Sequence, residues 1–198
     1  MNILYQYPVL SAIVEAELTL SDLLRLRSTC KNIINRDVLS LLISQLKTVD
    51  NQTIKYIKKS CINIAIVKGL LKNPLVDPSA MDNLAIQWAS QKGHAEVVRL
   101  LLGDPRVDPS YMGNSAIRWA SRNGHLEVVR LLLADQRVDP SARDNYAIRW
   151  ASRNGYVEIV RLLLADPRVD RSVVIKLANE IGYEDIVNLL EEDPRVDR

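Results

Sequence analysis

The sequence predicts an all-α fold, a helical repeat solenoid preceded by an N-terminal helical module. Three observations carry this expectation. Trp88, Trp119 and Trp150 are evenly spaced, and Asp77, Asp108, Asp139 and Asp170 keep the same step, as do Gly93, Gly124 and Gly155. The segments 108–138 and 139–169 are identical at 23 of 31 positions. Each unit also holds two short stretches of helical apolar period separated by a glycine. A period of this length means stacked supersecondary units.

In chain order, residues 1–50 lie outside the period and form the expected first module. They carry an apolar stretch from Pro8 to Leu20, a polar opening at Ser21-Asp22 and an amphipathic run to Leu46. Ser21 or Asp22 suits a helix cap, with Leu23, Leu24 and Leu26 on the apolar side. Three short helices are the simplest reading. The stretch resembles an F-box, on Pro8 before a helix, Leu18 closing it, Asp22-Leu23-Leu24-Arg25-Leu26-Arg27 and Cys30-Lys31. Where that family usually carries Trp shortly afterwards, this chain has Ile33. The resemblance implies docking on a Skp-type ubiquitin-ligase adaptor through Pro8, Leu18, Leu23, Leu24 and Leu26. The alternative reading is a helical cap over the exposed face of the first repeat.

Residues 51–198 form the expected array, with full repeats at 77–107, 108–138 and 139–169 and degenerate units at both ends. From Ile54 to Val76 the pattern survives weakly, Ile66-Val67-Lys68-Gly69-Leu70-Leu71 aligning with Val97-Val98-Arg99-Leu100-Leu101-Leu102. One full unit reads as follows. Asp139-Pro140-Ser141-Ala142-Arg143-Asp144 is turn chemistry. Asn145 suits an N-cap, because its side chain accepts from an orphan N–H; Asn83 and Asn114 share the column. The first helix runs from Ala147 to Arg153 and stops at Asn154-Gly155, where glycine supplies a left-handed cap. A second helix is expected at about Val157 to Ala165, burying Ile159, Val160, Leu163 and Leu164. Glu158 and Arg161 are three apart and able to pair. Ala147 and Ala151 let neighbouring units approach, while Trp150 fills the space between them. The last unit is shortened: Gly182 follows Asp170 four places sooner than Gly155 follows Asp139. Its Glu180, Glu184, Asp185, Glu191, Glu192 and Asp193 make it acidic.

The stretch Asn154-Gly155-Tyr156-Val157-Glu158-Ile159-Val160-Arg161-Leu162-Leu163-Leu164 resembles the ankyrin repeat, with its glycine turn, acidic residue and leucine-rich second helix. Gly93-His94 and Gly124-His125 carry that family's glycine–histidine turn. Its Thr-Pro-Leu-His opening is degraded here to Tyr146-Ala147-Ile148-Arg149, Ser115-Ala116-Ile117-Arg118 and Leu84-Ala85-Ile86-Gln87. The recurring Asp-Pro-Arg-Val-Asp and Ala-Ile-Arg-Trp-Ala-Ser look like the ankyrin arrays of large DNA viruses of amoebae. The resemblance implies a non-catalytic protein-binding scaffold that reads its partner with a concave first-helix face and its finger tips. On this chain those positions are Lys92, Arg118, Arg122, Arg149 and Arg153, with Met81, Asp82, Tyr111, Met112, Arg143 and Asp144 on the fingers. Together with the first module, it implies an adaptor that recruits a captured protein for ubiquitination. A plain binding or decoy scaffold is the alternative.

Composition narrows the other classes. Apolar residues make up 47% and charged residues 25%, the balance of a folded chain. The net charge of +2 does not advertise nucleic acid or an acidic membrane as partner. From Met81 to Val160, ten basic residues face nine acidic ones. No Gly-rich phosphate loop, HExxH or nucleophile elbow is present, so no catalytic, cofactor or metal site is expected. His94 and His125 are matched by Tyr156 in the next copy, a swap that a metal pair would not tolerate. Cys30 and Cys61 are isolated thiols, which suits a reducing compartment, and no signal-like or bilayer-spanning run is seen. A cytoplasmic monomer is expected, in the host cytoplasm if the chain is viral.

Overall fold

The structure, a computed structural model, describes residues 64–181. The adaptor-docking residues expected at Pro8, Leu18, Leu23, Leu24 and Leu26, and the acidic end of the last unit, lie outside the described residues. Among those described there are eight helices and no strand: α1 (Ile64–Lys72), α2 (Ala80–Gln91), α3 (Ala95–Leu102), α4 (Tyr111–Arg122), α5 (Leu126–Leu133), α6 (Ala142–Arg153), α7 (Val157–Leu164) and α8 (Ser172–Ile181). No helix among them is long and apolar enough to cross a membrane. The chain divides into two compact units, Met1–Ala85 and Ile86–Arg198.

Within the first unit, α1 buries Val67 and Leu70. The chain leaves it through a turn in which Leu75 N–H donates to Asn73 Oδ1 at 2.9 Å. Asp77 then accepts from both the N–H and the hydroxyl of Ser79, at 2.9 and 2.6 Å. Local carboxylate-to-backbone bonding of this kind competes with helix and marks the turn between units.

The second unit is built in two layers. The first helices α4, α6 and α8 pack side by side, α3, α5 and α7 form the other layer, and α4 with α5 and α6 with α7 join them. Alanine is the reason the first layer closes. Ala116, Ala120, Ala147 and Ala151 are all buried, together with Ile117 and Ile148. The second helices contribute Val97, Val98, Leu101, Val128, Val129, Leu132, Ile159, Val160, Leu163 and Leu164, also buried. Each helix pair alone would leave these side chains in water, so stability comes from stacking.

The two helices of each repeat are joined as the sequence indicates. Tyr156 N–H donates to Ala151 O at 2.9 Å and Gly155 N–H to Ser152 O at 3.1 Å, with Gly155 at φ 70°. These are the paired bonds of a Schellman cap, which satisfies the last carbonyls of α6. His125, Gly124 and α4 repeat the arrangement. Glycine is required at Gly124 for a second reason. A Cβ there would lie 2.8 Å from the Tyr156 ring, which belongs to the next repeat.

The helix start differs from the expectation. Asn145 is not a β-region N-cap: Arg143, Asp144 and Asn145 have φ of 56°, 55° and 56°, three consecutive left-handed residues. Met112, Gly113 and Asn114 do the same in α4, and Met81, Asp82 and Asn83 in α2. Left-handed backbone costs roughly 1–2 kcal/mol for each non-glycine residue. Two bonds made by the asparagine offset this. Its N–H closes the turn onto the serine four residues back, 2.7 Å for Asn114 and 2.8 Å for Asn145. Its side-chain oxygen accepts the N–H of the following repeat's aspartate, Asp139 at 2.8 Å and Asp170 at 2.9 Å. The asparagine column staples one repeat to the next, across 25 residues of sequence.

Candidate functional site

Among the described residues, the arginines that recur from repeat to repeat fall into three settings, in the loops, on the second helices and on the first helices. In the loops after the second helices, Arg106, Arg137 and Arg168 each fork onto the aspartate two residues back. The Nη2–Oδ2 distances are 2.7, 2.6 and 2.6 Å, and each aspartate also accepts the arginine's own backbone N–H. The guanidinium hydrogen bonds hold the carboxyls of Asp104, Asp135 and Asp166 below the usual range, against a smaller opposing effect of burial. On the second helices, Arg99, Arg130 and Arg161 pair with the glutamate three residues earlier, at 3.4, 3.7 and 3.9 Å.

On the first helices the pattern changes. Among the described residues no carboxylate lies within ion-pair distance of Arg118, Arg122 or Arg149; at Arg118 and Arg122 aromatic rings take the place of acids. The Arg122 guanidinium lies 4.2 Å from the Trp150 ring centroid and 5.2 Å from that of Trp119, and its Nη1 donates to Tyr146 Oη at 3.1 Å. Arg118 lies 5.0 Å from the Tyr146 ring and donates from Nη2 to Met112 O at 3.0 Å. Burial lowers the Arg118 pKa, with repulsion from Arg143 adding to it, yet the guanidinium stays charged at neutral pH. Arg153 lies 5.7 Å from the Trp150 ring, and Tyr146 tilts against that ring at 5.9 Å. Such stacking fixes guanidinium positions at roughly 0.5–2 kcal/mol per contact without neutralising them.

The tryptophans are not fully enclosed by the stack. All three are half-buried. Alanine occupies the tight interface, and tryptophan at its edge forms an aromatic floor beneath the arginines. Tyr146, Trp119 and Trp150 were not among the residues expected at a site. Arginine three residues after tryptophan, as in Trp119–Arg122 and Trp150–Arg153, was the available signal, since such positions share a helix face.

Lys92 is exposed but stands one register position beyond the arginine column, aligned with Asn123 and Asn154. Those asparagines donate to carbonyls of the preceding repeat, Asn123 to Gln91 O at 2.8 Å and Asn154 to Arg122 O at 2.7 Å. The repeat at 77–107 carries Gln87 and Gln91 in the two arginine columns, so the cationic patch spans two repeats, Arg118 with Arg122 and Arg149 with Arg153. The finger residues Met81, Asp82, Tyr111, Met112, Arg143 and Asp144 are all exposed at the left-handed turns, Met112 most among the large apolar side chains at 58%.

The histidines belong to packing. His125 Nε2 lies 3.0 Å from Gln91 O, a pure acceptor, so this nitrogen carries the proton and donates. The ring lies against Gly93, where a Cβ would come within 2.6 Å of Nδ1, as Tyr156 does against Gly124. His94 tilts against Trp88 at 5.2 Å, and burial, with repulsion from His125 and Lys92, lowers its pKa. Among the described residues no group of three or more His, Cys, Asp and Glu side chains could hold a metal ion.

The family model described as Ankyrin repeats (3 copies) matches residues 35–144 and 108–173. The first match begins inside the stretch expected to form the N-terminal module. No curated protein matches the chain.

Proposed function

The chain belongs to the ankyrin-repeat family, a family of protein-binding scaffolds that are not themselves catalysts, and from that premise we propose that its first-helix face binds an acidic protein segment. One observation carries this reading. The loop and second-helix arginines have acids placed two or three residues earlier, whereas Arg118, Arg122 and Arg149 do not; rings and backbone or hydroxyl oxygens hold Arg118 and Arg122 instead. Uncompensated guanidinium groups held in place are suited to fork onto carboxylates with little loss of side-chain freedom. The exposed Tyr111 and Met112 add apolar contact at the finger tips. The test is anisotropy titration of a fluorescent Glu-rich peptide with the full chain at low and high salt. Binding that weakens with salt and is lost in Arg118→Gln with Arg122→Gln supports the reading. Binding unchanged by these substitutions sinks it.

A fuller reading makes the chain a substrate-recruiting adaptor, with residues 1–50 docking on a Skp-type ubiquitin-ligase component. It is favoured by Pro8, Leu18, Leu23, Leu24, Leu26 and the Cys30-Lys31 pair in sequence. Titration calorimetry against such an adaptor decides it: submicromolar binding lost on Leu23→Ala with Leu24→Ala in a folded chain supports it. Silence at tens of micromolar leaves the binding scaffold alone.

A further inference from the structure

Two arginines from successive repeats meet over one peptide unit, at the finger formed by residues 111–114. Arg118 donates from Nη2 to Met112 O at 3.0 Å. Arg143, from the next finger, lies across Gly113, its Nε 2.8 Å from where a Cβ on that residue would stand. Both side chains are thus anchored on the Met112–Gly113 peptide. Burial lowers the Arg118 pKa, and the nearby Arg143 charge lowers it further. Among the described residues no carboxylate lies within ion-pair distance of either arginine. The sequence supplies the reason. The finger position before the asparagine reads Asp82, Gly113 and Asp144 in successive copies. The flanking fingers carry an acid there, and the finger where the arginines meet carries glycine. Gly113 keeps the left-handed turn at φ 63°, and without a Cβ it lets the Arg143 side chain lie against the backbone.

Two cations held together without an acid repel, and a doubly charged anion relieves both. A carboxylate offers two oxygens, which a single guanidinium fork already occupies. A phosphoryl group offers three acceptor oxygens and about two negative charges near neutral pH, enough for two guanidinium groups. Arg143 is exposed and Arg118 half-buried. Beside them the Met112 side chain is exposed, an apolar contact that a protein side chain uses and a bare phosphodiester backbone does not. We infer, on the basis of the acidic-segment reading above, that Arg118 and Arg143 form a phosphoryl site over Gly113. Its preferred occupant is a protein segment bearing phosphoserine or phosphothreonine next to an apolar residue.

Three fluorescent peptides in one acidic background test this with the full chain. They carry phosphoserine, glutamate or a glutamate pair at the same place, each followed by leucine, and the pair matches the phosphoserine in charge. Anisotropy titration is expected to show phosphoserine bound at least about ten times more tightly than either of the others. Arg143→Gln should bring all three to within about twofold of one another. Gly113→Asp, which copies the flanking fingers and displaces Arg143, should do the same, with melting curves showing that both variant chains are folded. Equal binding of the three peptides that still needs Arg118 and Arg122 overturns the phosphoryl site and leaves the acidic-segment reading standing. A phosphoserine preference that survives Arg143→Gln does so too. Failure of every peptide, or tighter binding of oligouridylate through the same arginines, overturns both.

Discussion

The first helices and the second helices of this array carry arginine at similar density and use it in opposite ways. On α3, α5 and α7 each arginine has a glutamate one turn before it, so that face meets water already neutralised. On the first-helix face Arg118 and Arg122 lie over Trp119, Tyr146 and Trp150, which orient the charge and leave it in force. The same residue type is thus neutralised by an acid on one side and left charged over rings on the other. What differs is the neighbour one turn away. A guanidinium over a ring costs little to hold still and still demands an anion.

The comparison separates residues that hold the stack from residues proposed to read a partner, and substitutions should separate likewise. The largest effect is expected at Gly124→Ala. It combines a left-handed φ of 78° with a Cβ 2.8 Å from the Tyr156 ring, and should destabilise by about 2–4 kcal/mol in urea denaturation. Next comes Asn114→Ala, which removes the bond to Asp139 N–H and strands that donor. A loss of about 1–3 kcal/mol is expected, again by denaturation. A change of opposite sign is expected at Ser121→Ala. Its hydroxyl is buried with no partner, in the same column as Ser90 and Ser152, so its removal should raise stability by about 1 kcal/mol. An unchanged or lower melting temperature would show that the hydroxyl has found a partner.

The smallest effect concerns pH. Asp104, Asp135 and Asp166 have folded-state pKa values below the unfolded one, so their contribution is complete above the unfolded value near 4. It is lost as pH falls through the lower folded values. The triple Asp→Asn chain should therefore show a shallower loss of melting temperature between about pH 4 and pH 2. Equal slopes would mean that these loop pairs contribute nothing.

Most of the fold was legible because the repeat multiplies a weak local signal. Gly155 after Asn154, the apolar stripe of Ile159, Val160, Leu163 and Leu164, and the Glu158–Arg161 pair are all short-range features with counterparts in the preceding repeats. The left-handed finger was not legible. Asp144 and Asn145 each tolerate left-handed backbone, but Arg143 does not call for it, and the bond that sustains three such residues in a row reaches Asp170, 25 positions away. The partial exposure of the tryptophans was not legible for a related reason. Their period says that they belong to the repeat, but only the positions of Ala116, Ala120, Ala147 and Ala151 in the tight interface leave Trp119 and Trp150 at its edge. The site was half legible. The acids two or three residues before Arg106, Arg137, Arg168, Arg99, Arg130 and Arg161 can be read off the chain, and the resemblance to ankyrin repeats pointed to Arg118, Arg122, Arg149 and Arg153. Tyr146, which receives Arg118 on its ring and Arg122 on its hydroxyl from the preceding repeat, needed the structure.

The central claim is that the two arginine settings differ in function, and one measurement tests it most directly. The affinity of one fluorescent Glu-rich peptide would be compared for two double variants of equal net charge, Arg118→Gln with Arg149→Gln and Arg99→Gln with Arg130→Gln. The account predicts at least a tenfold loss for the first-helix pair and less than a twofold change for the second-helix pair, with both chains folded. Equal losses in the two variants would contradict it, because binding would then follow total charge and not the face on which Arg118 and Arg149 lack acids.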